Sequence, residues 1–179
     1  EKFDEITGWF KKLFGEDAEE VDEEANTKGS GRGRKGYGRY ARLFGRAHMY
    51  QNDPSISGMK YGDSTIGEAG CAPVAATNLI NKMAGYGGMT VDVAARYAES
   101  HGKTVPGGGT DVSYFNSILG SQGIPSTSTS NRSEVLNALK NGNPVVMLGE
   151  DGNNYPGAPF GASPHFVTAN GMDSNGNII

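Results

Sequence analysis

From residue 73 onward the apolar positions recur at helical spacing four times, and then the period changes. In PVAATNLINKMAG (73–85), Val74, Ala75, Leu79 and Met83 fall on or near one helical face, and Gly85 stands where a C-cap belongs. Thr90 is placed as an N-cap ahead of VDVAARYAES, whose Val91, Ala94, Ala95 and Ala98 form a face of small residues. Thr110 or Asp111 caps VSYFNSILG (112–120), with Tyr114, Phe115, Ile118 and Leu119 turned inward. NRSEVLNALKNG (131–142) opens on Asn131 with Glu134 three residues later, a capping-box variant, and closes on Asn-Gly. The pattern then shortens. PVVMLG (144–149) is a continuous apolar run that predicts a buried strand. HFVTANG (165–171) alternates, Phe166 and Thr168 against His165, Val167 and Ala169, and predicts a second strand. MDSNGN predicts a turn, and residues 177–179 begin a third strand. Helices first and strands second predict an α+β fold.

The N-terminal quarter reads differently. Phe3, Ile6, Phe10, Leu13 and Phe14 recur at helical spacing with Trp9 beside them, so residues 1–15 predict an amphipathic helix stopped at Gly15. Its charges balance, which favours packing on a neighbouring domain or chain over lying on a membrane. Residues 16–46 lack β-branched density and predict a charged, Gly-rich linker, leaving 47–179 as the folded domain. Charge is blocky within that linker. EDAEEVDEE (16–24) carries seven acids and no base, and residues 28–46 carry seven bases and no acid. The net charge of −4 conceals this layout. The basic Gly-Arg-Tyr stretch suits a polyanion such as a nucleic-acid backbone or a cell-wall polymer. Offset by the acidic run before it, it reads as a tether with no specific nucleic-acid partner. No run of eighteen or more apolar residues predicts a membrane span, and EKFDEITGWF does not open like a signal peptide. The chain begins without Met and is read as a piece of a longer protein.

One cysteine excludes an internal disulfide. By itself Cys71 reads as a small buried residue. Three features argue for chemistry instead. It stands at a predicted helix start, where unpaired N–H groups and the helix dipole favour a thiolate. Gly70 and small neighbours let a substrate approach the sulfur. His165 opens a predicted strand, a rigid element from which an imidazole can be aimed. The remaining histidines read blandly: His48 is solvated at the linker's edge, and His101 follows a helix end. Neither His nor Cys spacing fits a metal site, so no metal and no cofactor are expected. PGGGTD (106–111) lacks the Gly-Lys-Ser/Thr of a phosphate loop and reads as a turn near the substrate cleft.

The stretch YQNDPSISGMKYGDSTIGEAGCAPVAATNLI (50–80) resembles the catalytic segment of C39-like cysteine peptidases, which share the papain-like fold. LKNGNPVVMLG resembles the apolar strand element of that family, and SPHFVTANGMDSNGNII its histidine strand and following turn. The three segments occur in the expected order over roughly residues 48–179. The resemblance implies Cys71 as nucleophile, His165 as general base and Gln51 as oxyanion donor beside the Cys71 backbone amide. It also implies a central helix headed by the cysteine and packed on a C-terminal antiparallel sheet. Ala72 stands where the family usually has glycine. The family's histidine-orienting Asp follows the strand that residues 177–179 begin, so it is expected beyond Ile179, with the domain incomplete at its C-terminus. Asp173, in the preceding turn, is a poor substitute.

A Cys–His pair that attacks amides implies a cysteine endopeptidase. The FDEITGWFKKLFG helix resembles helices of phage tail and tape-measure proteins, which implies peptidoglycan peptides as substrate and an extracellular or virion-associated site of action. Two other readings stand beside this one. The first is a maturation peptidase clipping a partner or its own chain. The second is a silent binding module in which Cys71 only packs.

Overall fold

A computed structural model describes residues 49–84, 89–149 and 164–179. The expected helix over 1–15, the linker over 16–46, His48 and Gly85 lie outside the described residues. The elements run β1 (Lys60–Tyr61), β2 (Ser64–Thr65), α1 (Ile66–Ala69), α2 (Cys71–Ala84), α3 (Val91–Ser100), α4 (Ser113–Ser121), α5 (Arg132–Lys140), β3 (Val145–Gly149) and β4 (His165–Ala169). β1 and β2 form an antiparallel hairpin, and β3 pairs antiparallel with β4 from Val145↔Ala169 to Gly149↔His165. The architecture is α+β with small antiparallel sheets.

Helix α2 lies at the centre. Ala72, Val74, Ala75, Ala76, Thr77, Leu79, Ile80 and Asn81 are all buried, which covers every side of its first two and a half turns. Helices α3 and α4 and both strands of the β3–β4 sheet pack on it. Its small side chains let these neighbours come close. Ile56, Ile66, Ile80 and Ile118 fill the space between, each stabilising by about 1.5–3 kcal/mol relative to exposure. The last turn emerges from the core. Met83, expected on the buried face, is 49% exposed, because burial is nearly complete around the early helix and then stops rather than following one stripe.

Local signals fixed the helix ends. Thr90 Oγ1 accepts the Val93 N–H at 3.3 Å, and Val91, Ala94, Ala95 and Ala98 are buried as their spacing predicts. Asn131 Oδ1 accepts the Ser133 N–H at 2.9 Å. In α4 the N-cap position falls to Val112 rather than Thr110 or Asp111, although Asp111 Oδ1 still accepts the Ser113 N–H at 2.8 Å. Helices α3, α4 and α5 each end on a left-handed glycine, Gly102, Gly123 and Gly142. The N–H of the residue after each glycine bonds the carbonyl five residues back, at 2.8, 2.9 and 3.0 Å, the Schellman arrangement. Helix α4 therefore runs past Gly120, the expected end, to Ser121, since it is Gln122-Gly123 that supplies the left-handed stop.

Two strand expectations change. β3 is half-buried rather than buried, and Leu148 is 51% exposed. Val146 packs against the helical core and Leu148 shares its face, paired with Phe166, so burial of this face falls off toward the Gly149 end of the strand. Residues 177–179 do not form a regular strand. They return antiparallel through a single Met172–Ile178 bridge, around a turn in which Asp173 accepts the N–H groups of Asn175 and Asn177 at 2.9 and 2.8 Å. The β1–β2 hairpin and the one-turn α1 had no expectation, because strands of two residues carry no readable alternation.

Of the described glycines, Gly70 at the α1–α2 junction has the least room for a side chain. The Gly70 N–H bonds the Ile66 carbonyl at 2.9 Å, and the Gly70 carbonyl accepts Val74 N–H at 3.1 Å, so one residue ends α1 and begins α2. A Cβ on Gly70 would stand 2.7 Å from the Ile66 Cα and carbonyl oxygen, both backbone atoms that cannot swing aside. Gly70→Ala is expected to destabilise by about 1–3 kcal/mol, as overpacking does. Gly120→Ala, where a Cβ meets nothing within 4 Å inside a helix, is expected to stabilise by about 0.5 kcal/mol. Urea unfolding of both variants measures the contrast. A neutral Gly70→Ala would show that the junction yields.

Candidate active site

Cys71 is the first residue of α2 and is half-buried. A helix start leaves its first N–H groups without intrahelical partners. Pro73 lacks an N–H, and its fixed φ suits the first turn, so the donors at this terminus belong to Cys71 and Ala72. The tight Gly70 junction sets the direction in which they point. Ala72, where glycine was the familiar residue, is fully buried and so lies on the core side of this turn.

Gln51 reaches the same place from a turn that precedes β1. Its Nε2 donates to the Gly67 carbonyl at 3.1 Å. A primary amide carries two N–H groups, so one remains after this bond. The segment before it is held from α2. Asn78 Oδ1 accepts the Met49 N–H at 2.8 Å, and Asn78 Nδ2 donates to the Met49 carbonyl at 2.9 Å. Asn81, one turn on, makes the same paired contact with Met89, at 2.8 and 3.0 Å.

His165 opens β4 opposite Gly149. Three residues later Thr168 Oγ1 donates to the Ala75 carbonyl at 2.9 Å, a bond between the histidine's strand and the cysteine's helix. Phe166 packs on the core and lies 4.8 Å, centroid to centroid, from Phe115. The strand is thus fixed by one polar and one aromatic contact on the face that meets α2.

These elements enclose a cavity of about 260 Å³ lined by Gln51, Cys71, Asn78, His165, Thr168 and Asn170, with Met49, Val74, Ala75, Phe166 and Val167 supplying apolar wall. A second cavity of about 350 Å³ is lined by Tyr50, Gln51, Asn52, Gly67 and His165. His165 and Gln51 border both. The three residues expected to act together, separated by 20 and 94 positions in sequence, therefore meet at one cleft. Tyr61 is buried with its hydroxyl 2.6 Å from Thr110 Oγ1 and lines neither cavity. Burial pushes its phenol pKa up, against the Thr110 hydrogen bond, and the neighbouring Cys71 and Glu99 add to the rise, so Tyr61 stays neutral. The glycine loop 105–109 closes beside Ala69, where the Gly108 Cβ position is 3.5 Å from the Ala69 Cβ. The turn is formed as expected, and Ala69 is one residue from the α1–α2 junction, but no residue of the loop lines either cavity.

Asp173 stays apart. Its carboxylate also accepts the Asn177 side-chain amide at 2.9 Å, and the Asn177 hydrogen bonds hold its pKa below the usual carboxylate range. It lines neither cavity, and no carboxylate among the described residues does. His101 is the C-cap of α3, stacked on Tyr97 at 3.8 Å with Nδ1 2.9 Å from the Tyr97 carbonyl, a helix-end role remote from the cleft. No group of three or more His, Cys, Asp or Glu side chains fit to hold a metal occurs among the described residues. Sequence reasoning missed Asn78, Thr168 and Asn170. For Asn78 the signal was present: positions 71, 74, 75 and 78 share one helical face, and a lone amide on an otherwise apolar face needs a partner.

Thr168→Val keeps the shape of the side chain and removes the bond to Ala75. It is expected to destabilise by about 1 kcal/mol, the typical net worth of one hydrogen bond, measured as a shift in the urea midpoint at unchanged slope. No change would mean that Phe166 alone seats β4.

No protein-family model, no curated protein and no solved structure matches this chain.

Proposed function

We propose that the chain is a cysteine peptidase of papain-like architecture, with Cys71 as nucleophile, His165 as general base and Gln51 with the Cys71 N–H as oxyanion donors. What carries the reading is the convergence of these side chains, from three separate segments, on one cavity at a helix start. The chemistry follows from the groups themselves. His165 takes the thiol proton, and the sulfur attacks the amide carbonyl carbon. The oxygen that becomes negative is met by the remaining Gln51 N–H and by the N–H groups of the α2 terminus. Collapse of this intermediate breaks the C–N bond, and His165 returns its proton to the departing amine. Water then attacks the thioester, and Cys71 is released. The buried sheet side of the cleft keeps the imidazole on a rigid strand, while Tyr50, 66% exposed, marks the side open to solvent.

The substrate proposed is a peptide of the bacterial cell wall, cleaved internally by a domain of a phage tail or prophage protein acting outside the cell. The basic stretch over residues 28–46 suits the anionic polymer in which such peptides are embedded.

Two variants test the reading. Cys71→Ala is expected to abolish release of new amino termini from purified peptidoglycan, while stability changes by less than about 1.5 kcal/mol. His165→Ala is expected to slow alkylation of Cys71 by iodoacetamide at pH 7 by about tenfold or more, because the thiol loses its base. Alkylation that is indifferent to His165 would leave Cys71 as a packing residue and end the proposal.

A further inference from the structure

Gln51 belongs to a segment without regular secondary structure, so a few hydrogen bonds decide where its amide stands. Its own bond to the Gly67 carbonyl fixes the tip of the side chain, and the Asp53 N–H to Tyr50 carbonyl bond at 3.0 Å closes the turn around it. Neither bond ties the segment to the helix that carries the cysteine. Asn78 does. Its side-chain amide pairs with both polar groups of the Met49 backbone, at 2.8 and 2.9 Å, as a neighbouring β-strand would. Met49 itself is buried under this contact. Asn78 lies two helical turns from Cys71 on the face that lines the cavity.

The geometry points to Asn78 as a positioning residue that registers Gln51 against Cys71. The inference rests on the peptidase reading. An oxyanion donor works only when held about 2.7–3.1 Å from where the charge develops, so a shift of the 49–51 segment by an ångström would weaken it. Asn78 and Cys71 belong to one helix buried on nearly every side. The clamp therefore puts donor and nucleophile on a single rigid body, although 20 residues separate them in sequence. Asn81 supplies an internal comparison. It clamps Met89 with the same two bonds, but Met89 lines neither cavity.

Two probes of the same thiol separate positioning from general support. Iodoacetamide alkylates sulfur by displacing iodide, and no oxyanion forms. p-Nitrophenyl acetate acylates sulfur through a tetrahedral oxyanion. The S–C bond forms, the C–O bond to p-nitrophenolate breaks with the electron pair leaving on that oxygen, and water later cleaves the thioester. In the full chain, Asn78→Ala is expected to slow acylation about tenfold or more, with the roughly 10²–10³-fold cost of losing one oxyanion donor outright as the ceiling. Alkylation should stay within about twofold. Asn78→Asp keeps the acceptor for the Met49 N–H and loses the donor to its carbonyl, and should show a smaller acylation loss of about threefold. In a Gln51→Ala background, Asn78→Ala should cost nothing further, since both act through one donor. Asn81→Ala should lower thermal stability yet leave the ratio of the two rates unchanged.

Equal loss of both rates in Asn78→Ala, or an Asn81→Ala acylation loss as large, would overturn the inference in favour of general loosening of α2. Unchanged acylation in both Asn78 variants would overturn it as well. Failure of the peptidase reading shows separately, as alkylation of the unaltered protein that ignores His165→Ala, and it would remove the inference with it.

Discussion

A helix buried on nearly all sides places one demand on the rest of the fold: every polar group it carries must find a partner inside the protein. α2 carries three such side chains in its middle turns, Thr77, Asn78 and Asn81. Thr77 bonds back to the Pro73 carbonyl at 2.8 Å, within the helix. The two asparagines reach outward and are satisfied by backbone, Met49 on the chain entering the core and Met89 on the chain leaving it. An unpaired buried amide costs about 1–3 kcal/mol, so these contacts are conditions of burying α2 at all. The helix thereby dictates where the flanking segments run.

The cleft is a by-product of the same arrangement. α2 begins against Ile66 with no room for a side chain on Gly70, and its first residue, Cys71, lines a cavity shared with Gln51 and His165. The neighbours that cover the flank of the helix stop short of its first residue. Small residues make this possible. Ala72, Ala75 and Ala76 let the strand and helices approach, while Cys71, one residue earlier, keeps partial access to solvent. Core packing and a reactive terminus are therefore served by the same run of small side chains.

His165 reaches the cleft by a different route. β4 is seated on α2 through Thr168 and Phe166, and its first residue, His165, lines the same cavity as Cys71. The antiparallel pairing with β3 fixes the height at which this happens, since a slip of one residue would turn His165 to the other face. Tyr61, neutral and hydrogen-bonded to Thr110, ties the β1–β2 hairpin to the base of the glycine loop.

Taken alone, the sequence determined what depends on neighbours along the chain. The helices themselves, the caps at Thr90 and Asn131, the turn at Asp173, the position of Cys71 at a helix start and of His165 at a strand start all follow from periodicity and side-chain-to-backbone bonds within a few residues. Such energies are set before the fold closes. Tertiary structure decided what depends on distant partners. It placed Met83 and Leu148 toward solvent, reduced the last expected strand to one bridge, and assigned Asn78 and Asn81 to backbone groups 29 and 8 residues away. It also brought Gln51, Cys71 and His165 to one cavity, which no local pattern encodes. A side chain's periodicity states which face of its own element it occupies. What lies against that face is settled only when all the elements are packed, because burial and hydrogen-bond satisfaction are properties of the whole core.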